Sequence, residues 1–397
     1  MRHKLFGLLL CLVVVFVALP NGRAQVVAQD PVNLTDGCVE TFDPAVDYFP
    51  AKSEFEYAQG VTVEYFNNYR VVNVLPYAGA EEPYQYVLVQ CGTPTPEGFD
   101  DAQIIETPIQ NIVALSTVYL PHLITLGVQD SLLAVDEFDY VNSPEIRAKI
   151  DAGEIQEIGG GGAVNIELAL DLEPDVVLTY ASGSAEYDAH PILLDAGIPV
   201  LVTSEYLDTS ALAQAEWIKL TAMLFNREAE ANEFFDGLVE RYTNLVELAA
   251  TVEEKPTVMV NTPFSGTWWV AGGDSYLGNL LADAGADYLW ADDTSAQSIP
   301  LSFEEVLDKA NDADFWVNVL FWDSLETGIA EDERFVEFAP FENGNVWAVN
   351  KAVNEFGGND YFEAGVTNPD LILADLIAIF HPELLPDHEF RFYQRLQ

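Results

Sequence analysis

Basic residues are scarce in this chain of 397 residues. Lys and Arg together number 16 against 65 Asp and Glu, and the formal net charge is −49. A protein that binds nucleic acid needs a footprint of Lys and Arg, and anionic lipid headgroups attract basic segments for the same reason. The composition therefore disfavours both kinds of partner. Disorder is also disfavoured, because 49% of the residues are hydrophobic and can bury enough apolar surface to fold.

Cysteine is equally scarce, with three residues in the whole chain. Cys11 lies within an N-terminal apolar run, which leaves Cys38 and Cys91 as an isolated pair. In an oxidising compartment such a pair is typical of one disulfide. Closure of a loop of about 50 residues would stabilise the fold by roughly 4 kcal/mol on the chain-entropy model. A two-cysteine metal site is the alternative, although no histidine lies near either cysteine in the sequence.

Long apolar runs are missing except at the start of the chain. Residues 1–4 are basic, residues 5–20 are apolar, and Ala24 offers a small residue for cleavage. This order predicts a secretory signal peptide over residues 1–24. An uncleaved membrane anchor is the alternative, but the run is shorter than the roughly 20 residues that span a bilayer comfortably. Lipidation of Cys11 is disfavoured, because this cysteine follows Leu10 in mid-run rather than a small residue at the end of the run.

Residues 25–105 form an N-terminal segment with β-strand character. Two runs of β-forming residues flank Asn67-Asn68, and Asn tolerates the positive φ that a tight hairpin turn needs. A third strand is predicted at residues 84–91, and the Pro- and Gly-rich residues 92–98 form a linker. We expect a small antiparallel β extension that the Cys38–Cys91 bridge ties back to the N-terminus.

From residue 109 onward, short apolar runs alternate with helical patterns. Continuous apolar strands separated by helices are typical of a parallel sheet covered on both faces. The apolar residues between positions 226 and 252 repeat with the 3.6-residue period and predict a helix longer than an ordinary crossover helix. We therefore expect an α/β protein with one lobe at residues 106–225 and a second at 253–397, bridged by this helix.

The two lobes share a weak internal repeat. Asn165-Ile-Glu-Leu-Ala-Leu-Asp-Leu-Glu-Pro-Asp-Val-Val-Leu is similar to Ser302-Phe-Glu-Glu-Val-Leu-Asp-Lys-Ala-Asn-Asp-Ala-Asp-Phe-Trp-Val. Each copy predicts a capping residue, an acidic first turn, a short helix and a strand. Glu167 and Glu304 hold the same place, two residues after the cap. Such acids also favour a helix N-terminus through the helix dipole, so the repeat alone leaves a purely structural role open.

Several motifs follow one another in the order of a known family. They are Ile112-Val-Ala-Leu-Ser, glycines 159–160 with the Asn165 segment, Ala196-Gly-Ile-Pro-Val, the long helix, Gly272-Gly-Asp-Ser-Tyr-Leu-Gly-Asn-Leu-Leu-Ala-Asp-Ala-Gly-Ala and Leu301-Ser-Phe-Glu-Glu-Val-Leu. Over about residues 109–385 the chain resembles the class III periplasmic substrate-binding proteins of ABC importers, the group that binds ferric siderophores, haem and vitamin B12. The N-terminal segment lies outside the resemblance.

The resemblance implies both an architecture and a docking site. It implies two Rossmann-like lobes that are joined by one long rigid helix and hold the ligand in the cleft between them. The family also carries one exposed glutamate on each lobe, which docks onto arginines of the permease. Those two positions correspond to Glu167 and Glu304 of this sequence.

Residues near predicted strand ends are the candidates for ligand contact. Loops at the carboxyl ends of parallel strands converge on one cleft, and aromatic walls suit large flat or amphipathic ligands. The predicted ligand-binding residues are Ser116, Tyr119, Tyr180, Phe264, Trp268, Trp269 and Trp322. A place in the buried core is the alternative for each aromatic residue. Trp268 and Trp269 are adjacent, so on a strand at most one of them faces the cleft.

No catalytic constellation stands out in the sequence. Glycines 159–162 lie between a predicted strand and a helix, as phosphate-binding loops do, but no Lys follows them. The sequence has no G-x-S-x-G elbow, and its five histidines form no zinc-type pair. We therefore expect no catalytic residue, no resident metal and no cofactor.

These observations predict a secreted or periplasmic monomer. The resemblance implies that it captures an iron(III) chelate, a corrinoid or, less readily, haem, and delivers it to the transmembrane subunits of an ABC permease. A secreted metal carrier and an extracellular enzyme on the same scaffold are the alternatives. Loss of residues 1–24 would remove Arg2, Lys4 and Arg23 and leave 13 basic residues. So few cations predict a neutral or cationic ligand rather than a highly anionic ferric catecholate.

Overall fold

The computed structural model describes residues 33–397, and the predicted signal peptide with Cys11 lies outside the described residues. One sheet contains, in this order, β1 (Val61–Tyr65), β2 (Tyr69–Val74), β3 (Tyr84–Gln90) and β4 (Gln103–Thr107). The first three strands pair antiparallel, as predicted, whereas β4 pairs parallel with β3. The Cys38–Cys91 disulfide is present, with its Cα atoms 4.9 Å apart, which confirms the predicted pairing.

The sequence pattern did not predict β4. Its residues, Gln-Ile-Ile-Glu-Thr, place polar side chains on both sides of two isoleucines. Ile105 is buried in the core, whereas Ile104 is 38% exposed. A strand with one buried isoleucine has little hydrophobic signal of its own, so pairing with β3 determines its conformation.

The second sheet, here called the N-sheet, has five parallel strands in the order β7-β6-β5-β8-β9. Its strands are β5 (Ile112–Ala114), β6 (Leu132–Val135), β7 (Gln156–Glu157), β8 (Val176–Tyr180) and β9 (Val200–Thr203). Its helices are α1 (Leu120–Thr125), α2 (Pro144–Asp151), α3 (Ile166–Leu172) and α4 (His190–Asp195). The residues of β5 and β9 are all buried, as expected of strands covered on both faces.

Three helices follow the N-sheet. They are α5 (Ala211–Glu216), α6 (Ile218–Leu224) and α7 (Glu228–Ala249). The 22 residues of α7 make it about 33 Å long at 1.5 Å per residue. It begins at Glu228 rather than at residue 226, because Asn226 has a positive φ of 56° that a right-handed helix cannot accommodate. Within residues 33–397, no helix is both long enough and apolar enough to cross a membrane.

The third sheet, here called the C-sheet, has the strand order β13-β10-β15-β16-β17, and only its edge strand β17 is antiparallel. Its strands are β10 (Thr257–Val260), β13 (Asp287–Tyr288), β15 (Phe315–Val319), β16 (Val346–Ala348) and β17 (Gln394–Arg395). Its helices are α8 (Tyr276–Asp283), α9 (Phe303–Ala310), α10 (Leu325–Glu331), α11 (Ala339–Glu342), α12 (Ala364–Thr367) and α13 (Pro369–Phe380). The predicted α/β class is confirmed.

A separate antiparallel sheet contains the strand predicted around Trp268. It consists of β11 (Pro263–Phe264), β12 (Thr267–Ala271) and β14 (Ser298–Leu301), with β12 in the middle. The sequence pattern predicted this strand for the second α/β block without distinguishing it from the parallel strands. The short turn at Ser265-Gly266, where both residues have positive φ, makes the antiparallel pairing of β11 with β12 possible.

The N-terminal β extension is bound tightly to the rest of the chain. Val72 and Tyr86 pack in one hydrophobic cluster with Ile112 of the N-sheet and with Trp217, which lies between α5 and α6. The C-sheet and α7 form another cluster. The extension is therefore part of the N-sheet core.

A buried polar network joins the extension to the start of α7. The Arg70 guanidinium pairs with the Glu228 carboxylate, and both side chains are fully buried. Arg70 also donates to Thr107 Oγ1 at 2.6 Å and to Asn226 Oδ1 at 2.9 Å. Asn33 donates to the second oxygen of Glu228 at 2.7 Å. The first turn of α7 is thus fixed by residues that precede the family-like region.

Candidate functional site

A cavity of about 510 Å³ lies where the carboxyl ends of the two parallel sheets meet. It is lined by Thr117, Tyr140, Leu320, Phe321, Asn350, Val353, Gly357, Asn359 and Phe362. Thr117 follows β5 and Tyr140 follows β6, whereas Phe321 follows β15 and Asn350 follows β16. Chain segments leave parallel strands at this end, so side chains from several loops converge there.

The lining of the cavity is aromatic and uncharged. Tyr140, Phe321 and Phe362 are 51%, 74% and 47% exposed, which leaves their rings free to contact a ligand. Asn350 and Asn359 contribute side-chain amides, and no lining residue carries a charge. Rings of this kind bind apolar or flat surfaces, and the amides can orient a polar group. The arrangement suits a bulky ligand without strong net charge.

Residues 350–363, here called the strap, supply most of the lining from the C-sheet side. Ion pairing of Asp360 with Arg391 and a 2.8 Å hydrogen bond from Asn359 Nδ2 to Val349 O hold the strap to that side. Glu363, fully buried, reaches across and accepts hydrogen bonds from the backbone N–H groups of Asn142 at 2.6 Å and Ser143 at 2.9 Å. The strap therefore touches both sides of the cavity.

Burial also affects the acid–base properties of the strap contact. Burial raises the pKa of the Glu363 carboxyl, and the hydrogen bonds from Ser143 and Asn142 oppose that rise. The Ser143 hydroxyl donates to the same carboxylate and makes no capping bond to its own helix α2. The first N–H groups of a helix have no partner within the helix. At the N-terminus of α2, the Glu363 carboxylate of the strap accepts from the N-cap residue Ser143 and from Asn142 before it.

Tyrosines and carboxyl groups cluster at the carboxyl end of the N-sheet. Asp136, directly after β6, is largely buried, and burial raises its pKa from 3.8 to about 6. Its Oδ1 atom is buried and makes no hydrogen bond to the described residues. Burial is also the main cause of the raised pKa of Tyr180, with the nearby Asp136 charge adding to it. Among residues 33–397, no group of three or more His, Cys, Asp or Glu side chains is placed to bind a metal ion.

On the N-sheet side, the predicted ligand-binding residues differ in how much of the side chain is exposed. Ser116 is half-buried and directly precedes Thr117 of the cavity wall. Tyr180 ends β8 and is 37% exposed. Tyr119 is buried, and its hydroxyl lies 2.8 Å from Thr203 Oγ1. The structure thus places Tyr119 in the buried core, the alternative to ligand contact, and its ring has no exposed surface to offer a ligand.

On the C-sheet side, two of the four predicted aromatics belong to the core. Trp268 and Trp322 are 0% and 1% exposed. Both pack against Phe335, and their indole N–H groups donate to Val260 O at 3.0 Å and to Glu331 Oε2 at 2.8 Å. The structure thus places both in the buried core, the alternative to ligand contact, because each packs its ring and pairs its N–H inside the protein.

The two remaining aromatics are exposed but lie outside the cavity wall. Phe264 on β11 is 67% exposed, and Trp269 on β12 is 45% exposed. Trp268 and Trp269 point to opposite faces of β12, as their adjacency predicted. The cavity is lined instead by Tyr140, Phe321 and Phe362, which the sequence analysis did not select.

The two predicted docking glutamates occupy equivalent exposed places. Asn165 caps α3 by accepting from Leu168 N at 3.1 Å, and Ser302 caps α9 with Glu305 in a capping box. The predicted caps are confirmed. Glu167 is exposed, and Glu304 is exposed while paired with Arg334 at 3.1 Å. Both carboxylates are accessible to a partner, although Glu304 already has one cation beside it.

Comparison with known proteins identifies the family. The model of the periplasmic binding protein family matches residues 112–350. The chain belongs to the periplasmic binding protein family. The predicted resemblance to periplasmic substrate-binding proteins is confirmed at the level of this family. Its family is one of binding proteins rather than enzymes.

Individual relatives are distant in sequence. An uncharacterised lipoprotein of Methanocaldococcus jannaschii is 22% identical over 394 residues, covering 92% of this chain and 91% of the relative. A periplasmic binding protein from Veillonella parvula superposes with a TM-score of 0.56 at 16% identity, covering 83% of this chain and 98% of that one. An ABC-type Fe³⁺-hydroxamate transport protein from Saccharomonospora viridis gives a TM-score of 0.52 at 19% identity, covering 69% and 94%. At these identities the structural likeness establishes the fold.

Proposed function

We propose that this protein is the extracytoplasmic substrate-binding component of an ABC importer that captures an iron(III) chelate or a corrinoid. The ligand binds in the cavity between the N-sheet and the C-sheet and is delivered from there to the permease. The observation that carries the proposal is the cavity itself, which has about 510 Å³ of space and a wall of aromatic and amide side chains. Iron chelates of neutral charge and corrinoids both combine a large apolar surface with amide-type hydrogen-bonding groups.

The uncharged wall separates the candidate ligands. A ferric catecholate carries several negative charges and needs fixed cations to replace its hydration. Haem carries two carboxylates and needs the same compensation on a smaller scale. Neither need is met by the cavity wall, which contains no Lys or Arg. A neutral ferric hydroxamate fits best, and the Saccharomonospora relative, whose name records Fe³⁺-hydroxamate transport, supports this choice.

The alternative of a bare-metal carrier has less support. Such a carrier would need several His, Cys, Asp or Glu side chains converging on one point, and residues 33–397 contain no such group. An extracellular enzyme would need reacting groups at the cavity, and the residues that line it include no Asp, Glu, His, Cys or Lys. Binding and release of an intact ligand is therefore the function that we propose.

An extracytoplasmic location is part of the proposal. The family model, the disulfide and the lipoprotein name of the Methanocaldococcus relative support it. We propose that residues 1–24 are a signal peptide cleaved near Ala24 and that the mature protein works as a monomer. Glu167 and Glu304 are proposed to dock onto arginines of the permease transmembrane subunits.

A calorimetric titration of the purified protein tests the proposal. A neutral ferric trihydroxamate, cobalamin and haem are the probes. Phe321→Ala should weaken the binding of the accepted probe by roughly tenfold or more, because burial of a phenylalanine side chain against a ligand contributes about 1.5–3 kcal/mol. Phe264→Ala is the matched control: it removes an equally exposed phenylalanine outside the cavity and should leave affinity unchanged. A stronger effect at Phe264 than at Phe321 would place the site at the β11–β12 turn.

A further inference from the structure

The strap meets the N-sheet side through two separate contacts. The first is Glu363, which accepts hydrogen bonds from Asn142 N, Ser143 N and the Ser143 hydroxyl. Glu363 is fully buried, and no Lys, Arg or His of residues 33–397 forms an ion pair with it. A buried carboxylate without a cation is costly unless its hydrogen bonds are in place. It therefore holds its donors in one geometry.

The second contact is made by Asn354. Its Nδ2 donates to Asp139 O at 2.9 Å and to Val141 O at 3.0 Å. Its Oδ1 accepts from Phe356 N and Gly358 N, both at 2.9 Å, within the strap. The NH₂ group of Asn354 thus binds the N-sheet side, whereas its oxygen binds the backbone of the strap itself. This division fixes the orientation of the amide and makes it a rigid bridge.

Close packing reinforces the two contacts. A Cβ atom at Gly358 would lie 2.6 Å from Asp139 O and 2.7 Å from Tyr140 O, so only glycine allows the strap to come this near. The Arg147 guanidinium lies over the Phe356 ring, 5.2 Å from its centroid, and donates to Phe138 O at 2.6 Å. The strap is therefore packed closely against residues 138–147 of the N-sheet side.

The two contacts lie next to two aromatic residues of the cavity, Tyr140 and Phe362. Asn354 binds the carbonyls on either side of Tyr140, and Phe362 directly precedes Glu363. We infer that Glu363 and Asn354 are positioning residues, which fix the spacing between Tyr140 and Phe362 and thereby control how fast a bound ligand leaves. This inference concerns the proposed ligand site and, for its kinetic part, rests on the proposed function.

Glu363→Gln is the decisive variant. Both oxygens of Glu363 accept from N–H groups, so one of them must face the NH₂ group of glutamine and lose its bond. Glu355→Gln is the matched control, since it makes the same change at an exposed position of the same strap. Ser143→Ala and Asn354→Ala remove single parts of the contact and serve if Glu363→Gln does not fold.

A distance measurement on the ligand-free protein tests the spacing without any ligand. Nitroxide labels at cysteines replacing the exposed Asp171 on α3 and Asp308 on α9 report the separation of the two sides by pulsed electron spin resonance. Cys38 and Cys91 form the disulfide and take no label, and the protein used for labelling begins after residue 24, so that it lacks Cys11. We expect one narrow distance distribution for the unsubstituted strap and for Glu355→Gln, and a broader or longer one for Glu363→Gln and Asn354→Ala.

The kinetic part is tested by stopped-flow release of a neutral ferric trihydroxamate. Glu363→Gln should release it roughly tenfold faster, and Glu355→Gln at the original rate. Folded Glu363→Gln and Asn354→Ala proteins with the original distance distribution would overturn the inference. A purely structural role would lower the melting temperature and leave the distances at low temperature unchanged. Absence of chelate binding by the unsubstituted protein would instead reject the proposed function, and the distance measurement would still decide the inference.

Discussion

Asp136 is the carboxyl group whose surroundings most clearly alter its titration near neutral pH. Burial raises its pKa from 3.8 to about 6, so above pH 6 the folded protein holds a charge that the unfolded chain would leave in water. Ionisation of Asp136 therefore costs stability at high pH, and the cost disappears as the pH falls from 6 to 4. Asp136→Asn should stabilise the protein at pH 8 by up to about 3 kcal/mol, because a tenfold change in an equilibrium constant corresponds to about 1.4 kcal/mol.

Urea unfolding at pH 8 and pH 4 measures this effect. The difference between Asp136→Asn and the original protein should be largest at pH 8 and close to zero at pH 4. Glu137→Gln removes a neighbouring exposed carboxylate whose charge adds to the rise in the pKa of Asp136, so it should stabilise the protein at pH 8 in the same direction but by less than Asp136→Asn. An Asp136→Asn difference that is independent of pH would contradict the assignment.

For single residues, the sequence identified the correct strand end more reliably than the correct side chain. Trp322 was selected because it follows β15, and the cavity residue is its neighbour Phe321. Adjacent residues after a strand point in different directions, and composition does not tell which one faces the core. Trp322 is held inside by Phe335 and Glu331, which lie 13 and 9 residues further along the chain. Contacts of this kind are a property of the fold and are invisible in the local pattern.

At the scale of elements, the start of α7 depends on one buried ion pair. Glu228→Gln should destabilise the protein by about 3–5 kcal/mol, because it leaves Arg70 buried without a counter-charge. The free energy of unfolding in urea measures the loss. Glu233→Gln, on the exposed face of the same helix, is the control and should change stability by less than about 0.5 kcal/mol.

A second comparison separates loss of the pair from loss of packing. Replacing both Arg70 and Glu228 by methionine removes both charges and retains most of the buried volume. We expect this double variant to be more stable than Glu228→Gln, since replacement of a whole buried pair is tolerated better than removal of one partner. A double variant no more stable than Glu228→Gln would show that shape, rather than charge, is what the network requires.

The helices and strands differ in how far the local sequence pattern predicts them. The periodicity of α7 and the continuous apolar runs of the N-sheet strands predict those elements within a few residues. β4 and the separate sheet of β11, β12 and β14 could not be predicted in the same way. Their assignment depends on which strands pair, and pairing partners lie far apart along the chain. The strap has no periodic pattern at all, so its part in the cavity emerges only from the fold.

At the scale of the whole molecule, docking to a permease is the first test of transport. Charge reversal at Glu167 and Glu304 together should abolish uptake while ligand affinity stays the same, because removal of one partner of a desolvated interfacial ion pair costs about 2–5 kcal/mol. Release of Glu304 from Arg334 costs little, since exposed pairs contribute about 0–1 kcal/mol. Uptake by cells that express the variant, together with calorimetry on the purified protein, gives both readings.

The control for docking is charge reversal elsewhere on the same helices. Asp171→Lys on α3 and Asp308→Lys on α9 change the net charge equally at exposed positions beyond the first turn. Uptake should survive these substitutions. Normal uptake in the Glu167→Lys, Glu304→Lys double variant would reject these residues as the docking sites and leave their helix-terminal charge as their role.

Net charge and the cavity wall both favour a ligand without negative charge. The formal charge of −49 repels an anion at long range, and the cavity offers no basic side chain at short range. A neutral ferric trihydroxamate should therefore bind more tightly than a ferric catecholate at equal concentration. Salt screens charges over about 10 Å at 0.1 M, so catecholate binding should improve as salt is added, whereas hydroxamate binding should stay nearly constant. Calorimetric titrations of both chelates at about 0.02 M and about 0.5 M salt measure this salt dependence. A catecholate that binds more tightly at the lower salt concentration would show that a local basic cluster outweighs the global charge.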